Sequence, residues 1–285
     1  MLPMKIPVLP LGACNAHCHV FGPRERFPYV TSGSFVPEHD APKEALHALH
    51  ARLGISRCVV VQSTCHGFDN RAAEDAVQSR PESFRGIALL PTDVPDAELR
   101  RLDAAGFRGV RFNYMRHLGQ TTPVDAVLGL AARLAPLRWH LQIHGEPSLL
   151  VELGPMLRRS PVPVVIDHIG RVDASLGMAQ PHFRALLGLM EDERFWVKVS
   201  GCERITRQPW PYEDALPFAR MLVERFPERV VWGLDWPHPN FTGPVPDDAQ
   251  LVALLPRIAP DAAALQRLLV DNPARLYGFD AIAAA

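Results

Sequence analysis

The chain has no run of about 18 apolar residues, so no membrane-spanning helix is expected. It has no Cys-x-x-Cys pair, and its five cysteines (Cys14, Cys18, Cys58, Cys65 and Cys202) are an odd number. That pattern fits neither a disulfide framework nor a zinc ribbon. Free thiols suit a reducing compartment, and the cytoplasm is the expected location. Charge of one sign is also lacking: Lys+Arg 30 stand against Asp+Glu 31, a net charge of −1. A broadly basic nucleic-acid binder is thereby excluded, though a local cationic pocket is not. No Gly-x-Gly-x-x-Gly follows the first strand-like segment, which speaks against a dinucleotide-binding open sheet. No internal repeat or shift in composition marks a domain boundary. Leu11-Gly12-Ala13-Cys14 looks like a lipoprotein processing site, but Pro3, Pro7 and Pro10 precede it and would break an apolar signal helix.

What is present is core material and turn material. The 285 residues are 47% hydrophobic and 21% charged, enough apolar mass for a sizeable core. Pro 28 and Gly 19 are scattered along the chain, as many tight loops require and a linker does not. Short apolar runs alternate with amphipathic segments throughout. Strands are predicted at 13–20, 57–64, 85–90, 109–114, 139–144, 163–168, 195–200 and 229–235. Helices are predicted at 43–53, 124–135, 148–159, 182–191, 212–226 and 247–258. The tail 261–279 reads as a helix, an Asn-Pro break and a short capping turn. Eight such units predict an α/β fold, a single (β/α)8 TIM-type barrel over residues 1–285, with a doubly wound open sheet as the alternative.

A barrel places its chemistry at the C-terminal ends of its strands. The polar residues follow that rule. The predicted strands end, in order, in His17 and His19; near Gln62, Thr64 and His66; in Arg111 and Asn113 on the fourth; in His144; in Asp167 and His168; in Lys198 and Ser200; and in Asp235-Trp236-Pro237-His238-Pro239-Asn240. Side chains two apart on a strand share a face, so His17 and His19 point together, with Cys18 opposite and read as packing. Two imidazoles on one face, His144 and His168 at other strand ends, and Asp235 form a nitrogen–oxygen set suited to one zinc-like divalent ion. Arg111 and Arg204 offer cationic forks for a substrate carboxylate. Each has the alternative of serving as half of a salt bridge.

These residues stand in stretches that resemble the amidohydrolase superfamily, and more closely its 2-pyrone-4,6-dicarboxylate lactonase family with the related sugar lactonases. The stretches are NAHCHVFGP (15–23), VVVQSTCHGFDN (59–70), GFRGVRFNY (106–114), VVIDHIGRVD (164–173), WVKVSG (196–201), WGLDWPHPN (232–240) and DNPARLYGF (271–279). The resemblance implies a (β/α)8 barrel with Asp235 as the general base that deprotonates the hydrolytic water. It implies His17, His19 and His168 around that water and the lactone carbonyl. It places Arg111, Arg204 and Asn240 on the substrate and its carboxylates, with Thr64 where the lactonases carry Ser. Three positions depart from the dicarboxylate lactonase pattern: Phe35 and His144 each replace a Tyr, and His117, beside Arg116, replaces an Arg.

The expected function is hydrolysis of a carboxylated lactone, either 2-pyrone-4,6-dicarboxylate-like or a sugar-acid lactone, with Asn113, His117 and His144 also facing substrate. The three departures point toward a less charged lactone. The lactonase resemblance implies a reaction without a required metal. The set His17, His19, His144 and Asp235, with His168 beside it, would instead take up one divalent ion, zinc foremost, and both readings stand at this point. A related lactone isomerase or decarboxylase, or a non-catalytic small-molecule binder, are the alternatives. The expected partner is a small-molecule lactone, with no nucleic acid and no membrane; assembly into a homo-oligomer is compatible with the sequence.

Overall fold

Eight parallel strands are laid down in chain order: β1 Cys14–Cys18, β2 Arg57–Val61, β3 Phe84–Ala88, β4 Phe107–Tyr114, β5 His140–Gly145, β6 Val164–Ile166, β7 Phe195–Lys198 and β8 Val230–Val231. The structure is a computed structural model and describes residues 6–30, 35–115 and 122–281. Each strand pairs in parallel with the next. The ring closes from β8 to β1 through Ala16 N–H to Trp232 O at 2.8 Å, Asp235 N–H to His17 O at 2.8 Å and His19 N–H to Trp236 O at 2.7 Å. The expected barrel is therefore the one found. Among the described residues no helix is long and apolar enough to cross a membrane.

The helices follow their strands: α1 Lys43–Leu53, α2 Arg71–Gln78, α3 Asp96–Ala104, α4 Val124–Leu134, α5 Pro147–Leu157, α6 Pro181–Met190, α7 Cys202–Ile205, α8 Leu216–Arg225, α9 Asp248–Ala253, α10 Leu255–Ile258, α11 Ala262–Gln266 and α12 Asn272–Tyr277. The inner faces of the longer ones bury apolar side chains against the outside of the strands, as Leu46, Leu49 and Leu53 do on α1. Sequence periodicity missed α2 and α3. The buried face of α2 is mostly alanine (Ala72, Ala73 and Ala76, with Val77), and α3 buries only Leu99 and Leu102. The tail also differs from expectation. A π-helical turn over Arg267–Asp271 runs directly into α12, and the Asn272-Pro273 pair opens that helix. Proline fits there because a first-turn N–H has no helical partner in any case.

Inside the barrel a second apolar layer (Ala16, Val59, Val61, Ile87, Val165 and Val231) rests on Leu276, Tyr277 and Phe279. The C-terminal segment thus plugs the end opposite the strand tips. One irregularity in β1 positions the site. Asn15 is aligned with Cys58, but Cys18 is aligned with Val60, so β1 carries one extra residue across that interval. Such a bulge resets the alternation of side chains. Ala16 belongs to the inner layer, yet His17 and His19 also face inward, and Cys18 packs in the outer core against Cys58. Gly233 allows this seam to close: a Cβ there would lie 2.4 Å from His17 N.

Candidate active site

The strand tips converge on Asp235. Its Oδ1 lies 3.5 Å from His17 Nε2 and 3.3 Å from His19 Nε2, and its Oδ2 lies 3.7 Å from His168 Nε2. Oδ2 also accepts a hydrogen bond from Arg204 Nε. Asp235 is buried. Burial opposes its ionisation, but Arg204 and then the histidines outweigh that and hold the carboxyl well below the usual carboxylate range. The segments that deliver these groups bend sharply. His168 and Arg171 after β6, and Asp235, His238 and Asn240 after β8, all adopt left-handed φ. Non-glycine residues held there cost about 1–3 kcal/mol each and concentrate at functional sites.

Behind the histidines sits a second carboxylate. Asp167 Oδ2 accepts from Arg111 Nε at 2.9 Å and from Gln142 Nε2 at 3.0 Å, and its Oδ1 lies 3.4 Å from His17 Nδ1. Burial again opposes ionisation, and Arg111, His17 and Lys198 overcome it, so this carboxyl too is held far below its usual range. Lys198, fully buried, donates to Ala16 O at 3.0 Å and Gln142 Oε1 at 2.8 Å, and its Nζ is 3.1 Å from His17 Nδ1. Burial pulls its ammonium down to about 8 against the opposing pull of Asp167. Burial likewise lowers His17, with Lys198 adding to it, and lowers His168 to about 3. Both imidazoles are neutral at neutral pH.

In front of this cluster opens a narrow cleft lined by His19, Thr64, Arg111, His144, His168, Arg204, Asp235 and Asn240, together with Phe35, Ser63, Arg171 and Pro239. The sequence resembled a known family over almost all of its length, and direct comparison agrees. The amidohydrolase family pattern matches residues 14–279. The chain belongs to the amidohydrolase family. A 2-pyrone-4,6-dicarboxylate hydrolase of Comamonas testosteroni is 46% identical, the match covering 94% of this chain and 91% of the relative. A 4-sulfomuconolactone hydrolase of Rhizobium radiobacter is 38% identical over 95% of this chain and 91% of the relative. Among solved structures, a probable 2-pyrone-4,6-dicarboxylic acid hydrolase of Acinetobacter baumannii with citric acid bound superposes with a TM-score of 0.84. It is 28% identical, covering 94% of this chain and 100% of that one. This amidohydrolase is an enzyme.

Most of the sequence-predicted residues thus reach one place. His17 is shielded from the cleft and touches it through Asp235. Asn113 stands behind His144, its Oδ1 3.2 Å from the ring Nδ1. His144 packs edge-on to His168 at 5.6 Å between ring centroids. His117 lies outside the described residues. Two groups escaped the sequence reading. Arg171 lines the cleft with its Nη1 buried and without a hydrogen-bond partner among the described residues. Burial and then Arg204 lower it to about 10, which leaves it cationic. It sits in the irregular turn after β6, where no periodicity announces it; its place just past a strand end was the available signal. The other is Gln142, whose amide ties Lys198 to Asp167.

The ligand atoms of His17, His168 and Asp235 lie within 4.8 Å of one another. All three residues are buried, and His17 Nε2 makes no hydrogen bond among the described residues. This donor set can hold a divalent metal. His19 presents Nε2 to the same carboxylate, because its Nδ1 is 2.7 Å from the carbonyl of Val61 and must carry the proton.

Proposed function

We propose that this amidohydrolase opens the ring of a carboxylated lactone, of the 2-pyrone-4,6-dicarboxylate kind, by adding water. One observation carries the reading. Asp235, an ionised buried carboxylate ringed by three imidazoles, forms the floor of a cleft that also presents the guanidinium groups of Arg111, Arg171 and Arg204. Cationic forks of this kind bind planar carboxylates through two parallel hydrogen bonds. Names of relatives support the same class, since the two hydrolases above act on a pyrone dicarboxylate and a sulfonated muconolactone.

The steps follow from the chain's own groups. Arg111, Arg171 and Arg204 fix the acidic substituents and so orient the ring. Asp235 takes a proton from a water molecule as its oxygen attacks the lactone carbonyl carbon. An imidazole N–H beside Asp235 donates to the carbonyl oxygen as negative charge gathers there. The C–O bond of the ring then breaks, and the proton held on Asp235 passes to the departing ring oxygen. The product carries one new carboxylate and one new hydroxyl. A divalent ion held by His17, His168 and Asp235 would supply Lewis acidity and ease the ionisation of water.

Arg204 links binding to the base. While its Nε is bonded to Asp235, the carboxylate is a poor proton acceptor. A substrate carboxylate that shares the guanidinium weakens that hold and raises the basicity of Asp235 where the water waits. A lactone panel followed by proton release tests the reading. Acid release is expected with 2-pyrone-4,6-dicarboxylate and with monocarboxylate or sugar-acid lactones, and not with rings that lack an acid group. Conversion of a carboxylated lactone without acid release would replace hydrolysis by isomerisation.

A further inference from the structure

The two imidazoles of the His17–Cys18–His19 strand are held in opposite ways. His19 Nδ1 faces the backbone carbonyl of Val61 at 2.7 Å, which fixes its proton on Nδ1. His17 Nδ1 faces instead the ammonium of Lys198 at 3.1 Å. An ammonium has three N–H donors and no acceptor. Two of these donors are engaged by Ala16 O and Gln142 Oε1, and the third has His17 Nδ1 at 3.1 Å as its nearer partner, with Asp167 Oδ1 farther off at 3.6 Å. A proton on His17 Nδ1 would set donor against donor in a buried site. The orientation of Gln142 is fixed as well, because its amide nitrogen donates to Asp167 Oδ2 at 3.0 Å and leaves Oε1 for the lysine. Asp167 Oδ1, at 3.4 Å from His17 Nδ1, is the acceptor that the other tautomer would use, and it makes no hydrogen bond among the described residues.

We propose that Lys198 is a positioning residue. Its ammonium fixes His17 as the tautomer protonated at Nε2, which turns an N–H toward Asp235 Oδ1, 3.5 Å away, in place of a metal-binding lone pair. Neither the tautomer nor its effect on metal binding rests on the lactone reading above. For His17 to ligate a divalent ion through Nε2, its proton must move to Nδ1, the hydrogen bond to Lys198 must be given up, and Asp167 must become the new acceptor. The lysine cation also repels the ion. Lys198 thereby sets how strongly the His17–His168–Asp235 group holds metal, although it is no ligand itself.

The test uses the full chain, metal-free, with nitrogen-15 in its histidines. Long-range proton–nitrogen spectra distinguish a protonated from an unprotonated ring nitrogen, and His17→Asn assigns the signals. At neutral pH we expect His17 protonated at Nε2 and His19 at Nδ1; a His17 protonated at Nδ1 overturns the proposal. In Lys198→Met the His17 pattern should invert. Zinc affinity measured by titration should rise about ten- to a hundredfold, the worth of one charged hydrogen bond. A rise in affinity without inversion would mean simple charge repulsion and would overturn the tautomer assignment, as would an unchanged affinity. If Lys198→Met does not fold, the spectrum of the unaltered protein still decides.

Discussion

Arg204 donates its Nε to Oδ2 of Asp235, so that the group placed to bind substrate and the group placed to take a proton are hydrogen-bonded to one another before substrate arrives. The pairing accounts for a base whose carboxyl is held so far below its usual range in a buried setting that would otherwise raise it. Replacing Arg204 by Met should act on both roles. KM for a carboxylated lactone should rise about ten- to a hundredfold for loss of a charge-assisted contact. The acid limb of kcat/KM should move to higher pH, because the Asp235 carboxyl loses the cation that favours its ionised form. A raised KM with an unmoved acid limb would separate the two roles.

Asp235→Asn keeps the shape of the side chain and removes the proton acceptor. The fold should survive, since the backbone N–H of residue 235 still bonds His17 O. Hydrolysis should fall by about 10²–10⁴-fold, the usual worth of a general base. Circular dichroism and the lactone assay check the two halves, and activity within a few-fold of the parent would remove Asp235 from the role.

Arg111 turns out to serve two masters. It lines the cleft, and its Nε is bonded to buried Asp167 at 2.9 Å. Arg111→Met should therefore cost more than substrate binding. Leaving one member of a buried ion pair without its partner typically destabilises by about 3–5 kcal/mol, partly relieved here by Gln142 and Lys198. The expected result is a lowered denaturation midpoint together with a raised KM. An unchanged midpoint would show that Asp167 does not depend on Arg111.

The features that position the site were legible in the sequence to different degrees. The His-x-His pair, the histidine after β6 and the aspartate after β8 stood out because each chemically distinctive residue followed an apolar run, where a barrel places its chemistry. Strand ends were harder to place. β8 is only Val230–Val231, because Gly233 and the turn through Asp235 leave strand geometry almost at once. The bulge in β1 had no sequence signal either, yet it aims both histidines inward. What could not be read was the buried support. Asp167, Gln142 and Lys198 come from β6, β5 and β7 and meet only through closure of the barrel. Local pattern shows that a polar residue sits on an inward position, but not which neighbour satisfies it. Arg111 and Arg204 illustrate the same limit: each was readable as a substrate clamp or as half of a salt bridge, and each stands in the cleft while paired to a buried carboxylate.

Acid should destabilise the fold well before its carboxylates protonate. His50 and His140 lie outside the cleft and are buried. Burial lowers each from 6.5 to about 3. His50 Nε2 accepts from Asn15 Nδ2 at 3.1 Å, a bond that the neutral ring makes. Their folded-state values lie below the unfolded one, so the unfolded chain binds more protons between those limits. The stability that these rings contribute is complete above about pH 6.5 and is lost as pH falls toward 3. Each group adds a slope approaching about 1.4 kcal/mol per pH unit inside that window. Asp167 and Asp235, also lowered, act in the same sense but only below 3.8. A fall in urea midpoint between pH 7 and pH 5 therefore belongs to buried histidines, and it should be shallower in His50→Gln. Equal midpoints at the two pH values, or a His50 ring seen by NMR to protonate near its ordinary value while the chain stays folded, would show that burial does not hold these rings neutral.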